Sequence, residues 1–328
     1  MKNDFFVVKF LKKVLKNLIN FFLCFKRPDI IKIDNVTYIA HWKRFRENTY
    51  FFHQIFKNYN QPIKVLGPFH HRLKCRKILD KIIGWPYGRA DFFITGEAGD
   101  PLFDYAEKQI GYWRNIKNNK NIFRFPAWMW YLDWKEFDEK TYNSSWYYGM
   151  RLSIDKLMRP ILDSYSYESI KNRKKKSILI TSHFKNKRKE LFDIVNSTIG
   201  CDGLGKAFGN RDFRQLKMPL LEKYNYNLCP ENEIYDGYIT EKIPDAFHAG
   251  CIPISWCNPS DLEEDFNSEA VVNLFGLDNL QRKEVLTELS SYGEMFEKLL
   301  KVPLLKKKPK IEPLIQFLNN ENNFKSSS

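Results

Sequence analysis

The sequence lacks paired cysteines, long apolar runs and an excess of residues that break regular structure. Its six cysteines are scattered between positions 24 and 257, with no CxxC pair and no Cys/His spacing typical of zinc sites. Scattered cysteines in a chain of this size predict reduced thiols in a reducing compartment. Fifteen glycines and 15 prolines in 328 residues exclude a collagenous or low-complexity chain. With 43% hydrophobic and 16% aromatic residues, the chain can fill the cores of about two domains.

Acidic residues are in the minority, and the excess of positive charge is concentrated in two segments. The whole chain has a net charge of +14. Residues 1–27 contain seven Lys/Arg against one Asp, and residues 171–189 contain nine Lys/Arg and no acid. Together these segments exceed the whole excess, so the remainder is close to neutral. This distribution favours two local anionic partners over one extended nucleic-acid groove.

Residues 1–27 have the pattern of an amphipathic helix with a basic face. Polar residues recur at steps of three and four, at Lys9, Lys12, Lys13, Lys16 and Asn20. The longest uncharged run, from Asn17 to Phe25, is far shorter than the roughly 20 residues that span a bilayer. One interpretation is a helix that lies in an anionic membrane surface. The alternative is a helix packed against the body of the protein. No cleavable signal peptide is predicted, because lysines interrupt the apolar start.

The second half of the chain alternates strand and helix patterns, which predicts a parallel, doubly wound sheet. Residues 177–183 read as a β-branched strand and residues 187–200 as a helix. A further helix is predicted after Thr240, with Thr240 as its N-cap and Gly250 as its C-terminal stop. The basic run 171–176 is interpreted as a solvated linker between two domains.

The segment from Asn227 to Trp256 carries the strongest candidate site. It places Asn232, Tyr238, Glu241 and Lys242 at a strand end, in a loop and in the first helical turn. Ligands of open α/β sheets bind at such carboxyl ends of strands, and a helix N-terminus favours phosphate. Lys242 would add a full positive charge, and Glu241 would accept hydrogen bonds from sugar hydroxyls.

This segment resembles the donor motif of the α-1,3/4-fucosyltransferases, glycosyltransferase family 10, especially the bacterial members. The matching residues are Asn227-Leu228-Cys229-Pro230-Glu231-Asn232 and Gly237-Tyr238-Ile239-Thr240-Glu241-Lys242-Ile243. Residues 182–196 are similar to the family's strand-to-helix element, and its phosphate-contacting arginine falls on Arg188. Residues 92–106 are similar to the family's T-G-E segment, which implies that Glu97 is the catalytic base.

The resemblance implies an α/β protein of GT-B architecture, with two Rossmann-like domains that face a cleft. We expect residues 28–170 to form the acceptor-binding domain, residues 171–305 the GDP-fucose-binding domain and residues 306–328 a basic and polar tail. Fucose would pass from GDP-fucose to a hydroxyl, O3 of GlcNAc or glucose, in a glycan such as a lipopolysaccharide O-chain. The expected location is the cytoplasmic face of the membrane, peripherally bound through residues 1–27.

The predicted donor-binding residues are Arg188, Asn232, Tyr238, Glu241 and Lys242. The aromatic stretch 123–134 offers Trp128 and Trp130 as acceptor-stacking candidates, with packing in a core as the alternative. No cofactor besides the donor substrate is required on this interpretation, and weak stimulation by a divalent metal is left open. No D-x-D motif stands out; the acidic run 261–265 is the nearest imitation of a metal site.

Three other functions compete with this prediction. A related transferase would use another GDP-sugar, and donor competition would distinguish it. An RNA-binding protein would explain the charge, although no RNP-type motif is present, and we therefore expect no nucleic-acid partner. A membrane-associated scaffold would retain the fold without the activity.

Overall fold

The structure is a computed structural model that describes residues 28–40, 45–57, 59–69, 87–114, 116, 119–136, 151–210 and 217–319. The predicted helix at 1–27 lies outside these residues. The chain divides into two compact units. The first comprises residues up to 110 together with 120–123 and the end of the chain from 319, and the second comprises 111–119 and 124–318. The predicted boundary was at residue 171, so the second unit takes in some 50 residues that were assigned to the first.

A six-stranded sheet forms the first unit's framework, with its strands in chain order. The strands are β1 (Ile30–Ile33), β2 (Val36–Ile39), β3 (Ile63–Leu66), β4 (Ala90–Ile94), β5 (Ala106–Gly111) and β6 (Ile122–Arg124). β1 and β2 form an antiparallel hairpin, whereas β2 to β5 pair in parallel. Helix α1 (Phe45–Phe56) packs its C-terminal half on this sheet, where the Phe56 ring lies 5.1 Å from that of Phe92.

The second unit contains a five-stranded sheet whose recorded pairs are all parallel. Its strands are β7 (Lys174–Ile180), β8 (Cys201–Leu204), β9 (Tyr224–Leu228), β10 (Ile252–Ser255) and β11 (Val272–Asn273). The order across the sheet is β8-β7-β9-β10-β11. Every residue of β9 is buried, as expected for a central parallel strand covered on both faces.

Short helices connect and cover this sheet. They are α2 (Ile154–Leu157), α3 (Ile161–Ser164), α4 (Tyr167–Lys171), α5 (Arg188–Ile199), α6 (Lys217–Leu221), α7 (Lys242–His248), α8 (Pro259–Asp265), α9 (Asn279–Ser290), α10 (Glu294–Leu300) and α11 (Glu312–Asn319). Three 3₁₀ turns lie at Ala127–Tyr131, Lys206–Phe208 and Ser268–Ala270. The strand predicted at 177–183 corresponds to β7, which ends at Ile180, and the helix predicted at 187–200 corresponds to α5.

The strand order reverses between β7 and β9. From β7 the chain passes through α5 to β8 on one side, and β9 then starts again on the other side of β7. A doubly wound sheet leaves a crevice where its winding changes direction, at the carboxyl ends of the two strands. The residues that follow Ile180 and Leu228 therefore meet at this switch point.

The basic run 171–176 is largely exposed, as predicted for a solvated face, but it is not a linker between domains. Lys174 already belongs to β7, and the whole run lies inside the second unit. The Arg173 guanidinium lies 4.6 Å from the ring centre of Tyr165, and Lys175 Nζ lies 5.3 Å from that of Tyr292. Lys176 pairs with Asp202 at 2.5 Å. These cations stack on aromatic rings or pair with a carboxylate, which is the arrangement of a folded strand end.

The end of the chain also differs from the predicted polar tail. Ile311, Leu314 and Leu318 are buried, at the three- and four-residue spacing of one helix face. They hold α11 against the protein. The helix was not predicted because the lysines that precede it made the segment look polar. Residues 320–328 lie outside the described part of the chain.

Candidate functional site

Arg188, the first residue of α5, links the segments that follow β7 and β9. Its Nη1 donates to Thr181 Oγ1 at 2.9 Å, just beyond β7. Its Nη2 donates to the Pro230 carbonyl at 3.3 Å and to Asn232 Oδ1, just beyond β9. The side chain thus joins two strand ends that are more than 40 residues apart in the chain.

The guanidinium of Arg188 is buried, with 7% of the residue exposed. Burial lowers its pKa, and the charges of Glu231, Tyr238 and Glu241 act in the opposite direction. Arginine nevertheless stays protonated in proteins. Its Nε is buried without a hydrogen-bond partner in the structure. A buried positive charge with one unused donor is therefore held at the switch point.

Glu231 is the residue of this region whose role the sequence did not reveal. Its carboxylate is fully buried and accepts hydrogen bonds from the Thr240 amide at 2.8 Å and the Thr240 hydroxyl at 3.0 Å. It also accepts from Lys242 Nζ at 2.9 Å. The carboxylate therefore closes the loop between residues 231 and 240. Its place inside the quoted N-L-C-P-E-N motif was the only available signal.

Thr240 does not cap the helix, contrary to the prediction. Glu241 occupies the N-cap position of α7, and its side chain makes no capping hydrogen bond. The Thr240 hydroxyl donates to Glu231 instead of capping the helix. The predicted stop at Gly250 is confirmed by its left-handed φ of 75°, which glycine adopts without strain. Lys242 begins the helix, and its side chain remains 19% exposed.

Tyr238 lies in the same loop as a packing residue. It is buried, and its ring meets that of Tyr112 edge to face with centroids 5.0 Å apart. The preceding Gly237 has a φ of 75°, and an added Cβ would lie 2.1 Å from the Tyr112 carbonyl oxygen. Only glycine fits there, so the Gly-Tyr pair of the motif sets the path of the loop.

Glu97 lies in the first unit, at the carboxyl end of β4. The Thr95 hydroxyl donates to the Glu97 carbonyl at 3.0 Å and accepts from its amide at 3.0 Å. Thr181 makes the same kind of turn with His183 after β7. Both candidate regions therefore sit on short Thr-closed turns that follow a buried strand, a position that holds a side chain at a sheet edge.

The sequence of the second unit matches a known family. Residues 170–298 match the model described as Glycosyltransferase family 10 (fucosyltransferase) C-term, and they contain the arginine, the buried glutamate and the lysine described above. This segment of the chain is therefore similar to glycosyltransferase family 10. The family predicted from the motif is confirmed.

One curated relative of the family 10 segment is the "Alpha-(1,3)-fucosyltransferase FucT" of Helicobacter pylori. It is 37% identical over 114 residues, which are 33% of this chain and 24% of the relative. The match thus spans about a quarter of that protein's length.

Solved structures resemble a larger share of the chain. A crystal structure of α1,3-fucosyltransferase with GDP-fucose has a TM-score of 0.60 at 20% identity and covers 86% of this chain and 87% of that one. A crystal structure of α1,3-fucosyltransferase with GDP has a TM-score of 0.58 at 21% identity, with 84% of each chain covered. At these identities the likeness establishes the fold, and it confirms the predicted α/β fold of GT-B type.

The two candidate acceptor residues lie in the core of the second unit. Trp128 is 4% exposed and packs on Phe266 with ring centroids 5.0 Å apart. Trp130 is 1% exposed, and its Nε1 donates to the Phe125 carbonyl at 3.2 Å. Their rings are covered by protein, which favours the alternative of core packing over stacking on a sugar.

Asp261 and Asp265 of the acidic run 261–265 have protein partners. Asp261 pairs with Arg114 at 3.3 Å, and Asp265 receives two bonds of 2.8 Å from Arg124. Within the described residues, no group of three His, Cys, Asp or Glu side chains could hold a metal. None of the helices in that part of the chain is long and apolar enough to cross a membrane.

Proposed function

We propose that this protein is an inverting α-1,3-fucosyltransferase that binds GDP-fucose in its family 10 segment. The observation that carries the proposal is the meeting of Arg188, Asn232 and Lys242 at the switch point of a doubly wound sheet. Diphosphates bind where such sheets change direction. Two cations near this position suit a ligand that carries phosphate charge.

The leaving group sets what the donor site has to do. As the bond between the fucose anomeric carbon and the GDP oxygen breaks, negative charge develops on the diphosphate. Lys242, partly exposed, can donate directly to a phosphate oxygen. Arg188 adds its positive charge and its unused Nε donor, while its other donors hold the strand ends in place. Charge stabilisation of this kind is worth most when the donors are already in position.

The acceptor hydroxyl is a weak nucleophile, so a base is needed. In the proposed mechanism Glu97 takes the hydroxyl proton as that oxygen attacks the anomeric carbon from the face opposite GDP. The configuration inverts, GDP leaves and the protonated carboxyl later releases its proton to water. General-base assistance contributes about 10²–10⁴ in rate. The acceptor is proposed to be O3 of GlcNAc or glucose in a surface glycan such as a lipopolysaccharide O-chain.

The donor is tested by calorimetry with GDP-fucose, GDP-mannose and UDP-galactose. Selective binding of GDP-fucose supports the proposal, whereas a preference for GDP-mannose supports the transferase that uses another GDP-sugar. Binding of a short RNA with neither GDP-sugar would overturn both.

The base is tested by Glu97→Gln, with Glu107→Gln as the matched control on an exposed site of β5. We expect kcat to fall by about 10²–10⁴ for Glu97→Gln with donor affinity kept, and no change for the control. Turnover equal to wild type would remove Glu97 from the mechanism. Activity measured with and without EDTA tests the expected independence from metal.

Residues 1–27 are proposed to hold the enzyme on the cytoplasmic face of the membrane. Seven basic residues against one acid would face lipid headgroups. Deleting residues 2–27 should release the protein from phosphatidylserine vesicles while activity on soluble acceptors remains. Undiminished vesicle binding by the truncated chain would contradict this anchor.

A further inference from the structure

A small cavity opens at the switch point, beside the carboxyl ends of β7 and β9. The charged residues that line it in the described part of the chain are Arg188, Lys217 and Lys242. Its volume is about 20 Å³, room for roughly one water-sized group. Lys217 comes from α6, outside the motifs that predicted the donor site.

Three cations around one small void repel each other unless something offsets their charge. Two buried carboxylates that do not themselves line the cavity offset this positive charge. Glu231 pairs with Lys242, and Asp245 on α7 pairs with Lys217. Both carboxylate side chains are fully buried, whereas the Lys217 side chain is 11% exposed.

The two ion pairs therefore share one arrangement. In each, the acid is fully buried and the lysine that pairs with it lines the cavity. An arrangement that only stabilised the fold would not require both lysines to line the same void as Arg188.

We propose that Lys217 is a third phosphate-binding residue of the donor site and that Asp245 positions it. Its ammonium donates to one oxygen of the diphosphate, and that single oxygen occupies the cavity. Lys242 contacts the same diphosphate from the start of α7. This inference rests on the proposed function, because the diphosphate is that of GDP-fucose.

The test compares three variants by calorimetry with GDP, guanosine and inorganic pyrophosphate as probes. Lys217→Met removes the cation. Lys217→Met combined with Asp245→Asn removes both charges, so that no buried carboxylate is left unpaired. Lys283→Met, on an exposed site of α9, is the matched control. Circular dichroism and thermal unfolding verify that each variant is folded.

We expect both Lys217 variants to bind GDP and pyrophosphate about 10- to 100-fold more weakly, the usual value of a hydrogen bond to a charged group. Guanosine, which has no phosphate, should bind unchanged. Restored GDP affinity in the double variant would overturn the proposal, because Lys217 would then serve only to neutralise Asp245. Wild-type affinity in both variants would overturn it as well.

Failure of the proposed function has a different signature. If the wild type binds pyrophosphate but not GDP or GDP-fucose, the donor assignment falls while Lys217 is still judged by the pyrophosphate data. If the wild type binds none of these probes, both proposals fall.

Discussion

Replacing Glu231 by Ala should destabilise the second unit strongly, because this carboxylate has three buried or half-buried donors around it. The Thr240 amide and hydroxyl would lose their acceptor, and Thr240 is only 4% exposed. A buried polar group without a partner costs about 1–3 kcal/mol. Lys242 can turn toward water because 19% of its side chain is exposed. The loss of its ion pair with Glu231 therefore adds less to the destabilisation.

The sum is about 3–5 kcal/mol, which is the range for breaking a buried ion pair by removing one partner. For a unit of this size each kcal/mol corresponds to roughly 2–4 °C, so the midpoint should fall by about 6–20 °C. Differential scanning calorimetry and urea unfolding measure both quantities. Glu231→Gln, which keeps an acceptor for Thr240, should lie between wild type and Glu231→Ala.

Glu269→Ala is the matched control. Glu269 faces Lys298 at 3.8 Å with both side chains 61% exposed, and such exposed pairs contribute about 0–1 kcal/mol. If Glu231→Ala were as stable as Glu269→Ala, the buried network would not hold the loop, and the reasoning would be refuted.

Three further predictions concern stability. Gly205→Ala should cost more than Gly209→Ala by calorimetry, because both have positive φ but only at Gly205 would the Cβ meet backbone, 2.3 Å from the Thr181 carbonyl oxygen; equal costs would contradict this. Burial lowers the pKa of His248 to about 4, below its unfolded value of about 6.5. Its contribution to the free energy of unfolding is therefore complete above pH 6.5 and is lost as the pH falls toward 4, by roughly 3 kcal/mol in all. His248→Gln should flatten the plot of unfolding free energy against pH over this range. Trp128→Phe should lower the unfolding midpoint while the KM for acceptor stays constant, and a raised KM would favour sugar stacking instead.

Local patterns in the sequence were enough to locate β7, α5, α7 and β10 of the second unit. β10 is a short, fully buried run, and the helix after Thr240 ends at a glycine whose φ only glycine favours. These features depend on residues a few positions apart, so they can be predicted without the fold. The resemblance to family 10 followed from one long motif for the same reason.

Other predictions failed where a residue's partner is distant in the chain. The basic run 171–176 was interpreted as a linker because Tyr224 and Tyr292, whose rings lie beside Lys174 and Lys175, are distant in the chain. The last helix looked like a polar tail because lysines precede its buried face. Composition describes a segment, but burial is decided by what packs against it.

The sequence by itself determined the resemblance to family 10, the second sheet and the identity of Arg188, Asn232 and Lys242 as candidates. Only the tertiary structure decided that Arg188 joins two strand ends, that Glu231 closes the loop and that Lys217 lines the same cavity. The reason is the topology of the sheet. Its reversal between β7 and β9 brings together residues 181, 188, 217, 231 and 242, which no local pattern relates.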